Sequence, residues 1–187
     1  MFDKAATYDL FWDSAACEAV DASQRWILTA MQRHGHELVT MLWRILGNEQ
    51  DVCDAYQTTF LHLAHHDGGR RPRRLKPYLF RTASNAAISM LRRQMAERKM
   101  LSNVADTEVD ARDPGRDFDA RYLAETLRRH LAQLPIHLQD VITLRDLGEL
   151  SYAEVARALG ISVGTARVYR CKAVQLLAAR MNPGEEQ

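Results

Sequence analysis

Residues 150–172 read LSYAEVARALGISVGTARVYRCK. Within this run Ser151-Tyr-Ala-Glu154 has the form of a capping box, in which the Ser151 hydroxyl accepts an orphan backbone N–H and Glu154 reaches back to the cap. Val155, Ala156 and Leu159 supply the apolar face of the short helix that follows. Gly160 stops that helix, because glycine adopts the left-handed conformation at a helix end without a Cβ penalty. Ile161 then points back into the core, and Ser162 is placed to cap a second helix starting at Val163. Two helices joined by so short a glycine turn, with small Ala156 at the crossing, predict a helix-turn-helix. In that motif the N-terminal part of the second helix enters the major groove. Arg167, Arg170 and Lys172 fall within its first three turns. Arginine there can grip guanine O6 and N7 bidentately, while Thr165 and Lys172 suit phosphate oxygens. The same residues also fit a plain helical hairpin with a charged outer face.

Outward from this run, apolar residues recur at helical spacing nearly throughout, and no sustained alternation points to strands. Helices are expected over residues 8–20, 23–46, 49–66, 77–100, 118–134, 136–147, 152–159 and 163–181. Gly47-Asn48 separates the second from the third. Asp67-Gly-Gly-Arg-Arg-Pro-Arg-Arg74 reads as a loop, since glycine permits positive φ and proline removes a donor. Pro77 suits the first turn of the helix after it. Residues 101–117 lack apolar periodicity and carry Pro114-Gly115. They read as an interdomain linker. The expected fold is therefore all-α, with two small helical domains (residues 1–100 and 118–187) joined by an acidic linker, the second domain a helix-turn-helix.

Composition narrows the classes. At 187 residues, 47% hydrophobic and 26% charged, the chain is a globular protein of one large or two small domains. No window of about 18 residues is free of charge, so no membrane insertion is expected. The N-terminus lacks a basic region followed by an apolar run, so no secretory signal is expected. Three cysteines without a CxxC pattern point to a reducing, cytoplasmic location. The net charge of +1 conceals a segregation. Residues 1–24 hold five acids and one base, residues 70–99 hold ten bases against Glu97 alone, and residues 106–119 hold six acids and two arginines. A basic block of that density can release counterions from a phosphate backbone, or serve only as a solvated face.

Other clusters carry less. His62, His65 and His66, with His34 and His36 upstream, have helical spacing but no matching cysteine or carboxylate, so neither a metal site nor a cofactor is expected. Cys171, beside Arg170 and Lys172, reads as a half-buried filler more than as a redox thiol. Trp12, Trp26 and Trp43 read as core anchors. With no nucleophile elbow, phosphate-cradling glycine loop or paired carboxylates, an enzyme is not expected.

Two segments in series resemble a known family. Leu131-Ala-Gln-Leu-Pro135, Asp140-Val-Ile-Thr-Leu-Arg-Asp146 and Leu150 through Thr165 resemble the fourth conserved region of RNA polymerase sigma factors, most closely the extracytoplasmic-function (ECF) group. Asp51-Val-Cys-Asp-Ala-Tyr-Gln-Thr-Thr-Phe60 resembles a helix of sigma region two. Val52, Tyr56, Phe60 and Leu63 form its inward stripe, and Asp54, Gln57, Thr58 and Leu61 share another face. The resemblance implies that this outer face, with Asp51, binds the coiled-coil clamp of the polymerase largest subunit. Leu79 through Arg93 resembles the helix that melts and reads the minus-ten element. Implied contacts there are Arg73, Arg74, Lys76, Tyr78, Arg81, Asn85, Arg92 and Arg93. For the minus-thirty-five element they are Ser162, Thr165, Arg167, Tyr169, Arg170 and Lys172. Implied partners are core RNA polymerase, promoter DNA and an anti-sigma factor. The chain departs from the family at Cys53 (usually acidic), Ser89 (frequently Asp) and Tyr169 (Arg in many members), so no promoter preference carries over. The alternatives are a stand-alone helix-turn-helix regulator with an N-terminal dimerisation or sensing domain, and a metal-dependent enzyme using the histidines.

Overall fold

The turn between residues 46 and 49 ends one helix and starts the next. Gly47 takes φ +78°, and its N–H bonds the Trp43 carbonyl at 3.0 Å, closing one helix. The Asn48 side chain then accepts the Asp51 N–H at 2.9 Å, capping the next. These helices belong to a computed structural model that describes residues 25–65, 72–102 and 116–181. In chain order they are α1 (Arg25–Leu46), α2 (Glu49–His65), α3 (Leu75–Ser102), α4 (Arg116–Ala132), α5 (Ile136–Ile142), α6 (Tyr152–Leu159) and α7 (Val163–Met181). No strand occurs among the described residues, so the all-α expectation is borne out. The expected helix over 8–20, most of the Gly/Arg loop (66–71) and the centre of the linker (103–115) lie outside the described residues.

Several boundaries differ from the sequence reading. The helix expected over 136–147 is α-helical only to Ile142 and continues as a π-helical turn, Thr143–Leu147. There the Gly148 N–H bonds the Thr143 carbonyl at 2.9 Å, one residue wider than an α turn. The Leu150 N–H reaches back to the Leu144 carbonyl at 3.1 Å. Helices α3 and α4 each extend two residues further into the expected linker.

Apolar stripes place the helices. Leu38, Met41, Leu42 and Ile45 of α1 pack against Val52, Tyr56, Phe60 and Leu63 of α2, and all are buried. The α2 stripe is the one its spacing predicts. Leu79, Phe80, Ala83, Ala87 and Leu91 of α3 close this three-helix unit. The second unit packs α5 and α6 on α7, through Val141, Val155, Ala166, Ala173 and Leu177. A single apolar cluster runs from Ile27 to Leu177, so the two units share their core. Gly148 marks the junction: a Cβ there would stand 3.0 Å from Met41 Sδ and 3.2 Å from the Phe80 ring. Burying each large side chain at such a junction contributes about 1.5–3 kcal/mol. Among the described residues no helix is long and apolar enough to cross a membrane.

Candidate nucleic-acid interface

The helix-turn-helix is built as its sequence dictates. Ser151 Oγ accepts the Glu154 N–H at 3.3 Å, and Glu154 Oε2 accepts the Ser151 N–H at 2.8 Å. Burial, the largest single influence, pushes the Glu154 carboxyl up, but the bonds to Ser151 together with the Lys76 and Arg157 charges hold it below its ordinary range. Gly160 sits at φ +70°, and the Ile161 N–H bonds the Ala156 carbonyl at 3.0 Å. Ser162 Oγ accepts the Thr165 N–H at 3.0 Å and lies 2.9 Å from Thr165 Oγ1. Both hydroxyls thus serve the cap of α7.

The polar residues of α7 then divide. Arg170 turns inward: its Nε donates to both Asp146 oxygens at 2.9 and 3.0 Å, and its Nη2 lies 2.9 Å from Asp146 Oδ1. Those hydrogen bonds raise its pKa further. The sequence reading put Arg170 on the groove face; instead it ties α7 to the π-helical turn. Tyr169 is half-buried, its ring edge-on to His137 at 4.9 Å, so it too faces the core. Arg167 and Lys172 are exposed. The Arg167 guanidinium lies 5.5 Å from the centre of the Tyr152 ring, and Arg145 lies over the same ring at 4.9 Å. Cys171 is exposed, not the half-buried filler expected.

On α3 the basic residues meet other protein groups. Lys76 Nζ is 2.7 Å from Glu37 and 5.5 Å from the Phe80 ring centre. Arg81 Nη1 donates to the Ala158 carbonyl at 2.7 Å. Arg92 donates from Nε to the Ala132 carbonyl and from Nη2 to Gln139 Oε1, each at 3.1 Å. Ala132 and Ala158 belong to the last turns of α4 and α6, where carbonyls lack helical partners and a cation is favoured. Asp140 stands in the same seam. Burial raises its carboxyl pKa, opposed by the charges of Arg81, Arg92 and His137. Arg93 pairs with Glu97 at 2.9 Å on the surface. Arg73, Arg74, Tyr78, Arg81 and Asn85 line a cleft of about 890 Å³, joined from the second unit by Arg157, which the sequence reading missed. Asn85 also borders a hollow of about 630 Å³ beside Thr58, His62 and His65. Arg70 and Arg71 lie outside the described residues.

The α2 face is of another kind. Asp54, Gln57, Thr58 and Leu61 are all exposed, and Leu61 is 59% exposed. Asp51 instead accepts hydrogen bonds from the Asn48 side chain and from Gln94 Nε2 (2.5 Å), pinning α2 to α3. Cys53 is half-buried, and burial pushes its thiol pKa up. Among the described residues no three His, Cys, Asp or Glu side chains are grouped to hold a metal ion.

Comparison with known proteins bears on both units. Residues 30–97 match the Sigma-70 region 2 family, and residues 124–177 match the Sigma-70, region 4 family. The ECF RNA polymerase sigma factor SigE of Mycolicibacterium smegmatis is 28% identical over 165 residues, 87% of this chain and 61% of its own length. This chain therefore spans less than two thirds of that relative. The RNA polymerase sigma factor NccH of Alcaligenes xylosoxydans xylosoxydans is 30% identical over 151 residues, covering 76% of this chain and 81% of NccH. ECF RNA polymerase sigma factor SigW of Bacillus subtilis is 26% identical over 70% of this chain and 75% of SigW. The solved structure of CnrH in complex with the cytosolic domain of CnrY shares the fold, with a TM-score of 0.56 at 23% identity over 97% of this chain and 96% of that one. With both conserved regions present in order, on the helices that carry the exposed polar faces, the chain belongs to the sigma-70 family of RNA polymerase sigma factors, in its extracytoplasmic-function group.

Proposed function

We propose that this chain directs core RNA polymerase to promoters and helps open them. The observation that carries the reading is the serial order of the two sigma regions, 30–97 and 124–177, in one chain. The same order supports the proposed domain division, in which residues 1–100 bind polymerase and the minus-ten element, 101–117 link, and 118–187 bind the minus-thirty-five element. On α7, Arg167 and Lys172 meet the DNA, while Ser162, Thr165, Tyr169 and Arg170 position the helix. On α2, Asp54, Gln57, Thr58 and Leu61 dock on the polymerase, and Asp51 supports them. Around α3, Arg73, Arg74, Arg93 and Lys76 follow phosphates, and Tyr78 and Asn85 meet bases of the opened strand. Arg81 and Arg92 join them only by exchanging the helix-end carbonyls they now bond, so the two units separate at the promoter. Held together on polymerase, two weak DNA contacts become effectively intramolecular, and neither domain needs high affinity alone.

The chain works in the cytoplasm, where its polymerase is, and catalyses no reaction itself. CnrH, of the same fold, is held by the cytosolic domain of a second protein. A repressing anti-sigma partner for this chain is part of the proposal. Run-off transcription with purified core polymerase and a promoter library tests it. Sequence-specific transcripts that depend on the chain are expected. Their absence, together with binding of a palindrome by the chain alone, would instead identify a stand-alone regulator.

A further inference from the structure

We propose that Val168, with Gly164 one turn before it, reads the 5-methyl group of one thymine in the upstream promoter element. The inference rests on the functional reading above and names what the outer face of α7 recognises. Gly164, Arg167, Val168, Cys171, Lys172 and Gln175 are all exposed and recur at helical spacing, so they share the face that points away from the core. The hydrogen-bonding side chains expected to read bases from this helix are largely committed elsewhere. Ser162 and Thr165 bond each other, Arg170 is held by Asp146, and Tyr169 packs on His137. What remains at the centre of the face, between the two cations Arg167 and Lys172, is apolar.

Val168 is 50% exposed there, with a branched side chain that is stiff about χ1. The thymine methyl is the one apolar feature that a base pair presents in the major groove. Gly164 gives a second and independent indication. Gly164 lies in the first turn of α7, where the helix itself has no need of glycine. A Cβ at Gly164 would meet only Ser162 Oγ, at an ordinary 3.7 Å. Internal packing therefore does not call for glycine, whereas close approach of an outside surface to the helix backbone does. Gly164 and Val168, four residues apart, form one notch: the missing side chain lets a base edge approach, and the valine methyls meet its methyl group.

The test uses holoenzyme reconstituted from the full chain and core polymerase, on promoters selected from a library. Each thymine of the upstream element is replaced in turn by deoxyuridine, which lacks only the methyl. One position should weaken wild-type binding about fourfold, the worth of one buried methyl group. Val168→Ala should bring that thymine-to-uracil ratio close to one. Arg167→Ala should weaken binding to both DNAs and leave the ratio intact. Gly164→Ala should keep or raise Tm while promoter binding falls about tenfold. Sequence-specific initiation with no thymine-to-uracil effect at any position, or with a ratio unchanged by Val168→Ala, overturns this inference alone. Failure to initiate at any promoter overturns the functional reading on which it stands.

Discussion

The two basic surfaces of this molecule look alike in sequence and differ in what their charges touch. Of the three cations in the first half of α7, Arg170 turns inward to Asp146, and Arg167 and Lys172 stay exposed. On α3, Arg81 and Arg92 already bond carbonyl groups of the second unit. The lesson is about acceptors. A guanidinium on a helix-end carbonyl makes part of the contact that a phosphate would offer, so DNA gains only the difference. On the proposed function, the exposed α7 face would engage DNA as it stands, while the α3 face would do so only after Arg81 and Arg92 exchange their carbonyl partners. On that proposal, the factor would have little affinity for DNA until polymerase holds the units apart.

The comparison breaks first if the two units do not share a core. Phe80 is fully buried at their junction. Phe80→Ala should cost about 3–5 kcal/mol, and thermal unfolding should lower the near-ultraviolet signals of both units together. Two separate transitions, with only the first displaced, would show independent cores.

The inward and outward arginines come next. Arg167→Ala should cost about 1–3 kcal/mol of promoter binding with little change in Tm. Arg170→Ala should do the reverse. Losing a half-exposed pair costs about 1 kcal/mol of stability, since both partners keep part of their hydration. Arg170→Lys should recover little, because lysine lacks the planar fork that Asp146 accepts. Equal effects of the two alanine variants on Tm and on binding would erase the distinction drawn for α7.

The α2 face supplies a control without DNA. Asp54→Ala with Gln57→Ala should lower core-polymerase affinity by about 1 kcal/mol or more, and leave stability within about 0.5 kcal/mol. Titration calorimetry and a melting curve read the two sides. Unfolding of the double variant would make this face structural.

The smallest effect sits in the seam. Burial outweighs Arg81, Arg92 and His137 in setting the Asp140 pKa, so the folded state favours its protonated form. The stability this group contributes is fully present below its unfolded pKa and is lost as pH rises through the higher folded value. Asp140→Asn, which mimics the protonated carboxyl, should therefore raise Tm slightly at pH 7, by less than about 3 °C. That gain should vanish at pH 3. A lower Tm for the variant at pH 7 would mean that the arginines win.

What the sequence makes legible follows the range of each interaction. The capping box, the Gly160 turn and the Val52/Tyr56/Phe60/Leu63 stripe rest on neighbours within one to three turns, and each stands where its spacing predicts. Arg170 and Asp146 are 24 residues apart, and Arg81 and Ala158 are 77 apart. No periodicity links such partners, so an inward arginine and an outward one look the same in the sequence. The π-helical turn is hidden likewise, because its extra residue is fixed by the fit of Leu144 and Leu150 into a core built from distant segments. As the proposed methyl reader, Val168 carries neither donor nor acceptor, so nothing in the sequence marks it as a base contact.

Footprinting of one selected promoter, with the chain alone and with the chain plus core polymerase, tests the central claim most directly. The account predicts no stable protection by the chain alone at physiological salt. With core it predicts asymmetric protection of two separate elements, accompanied by opening of the downstream one. Strong protection of a palindrome by the chain alone, unchanged when core polymerase is added, would contradict it.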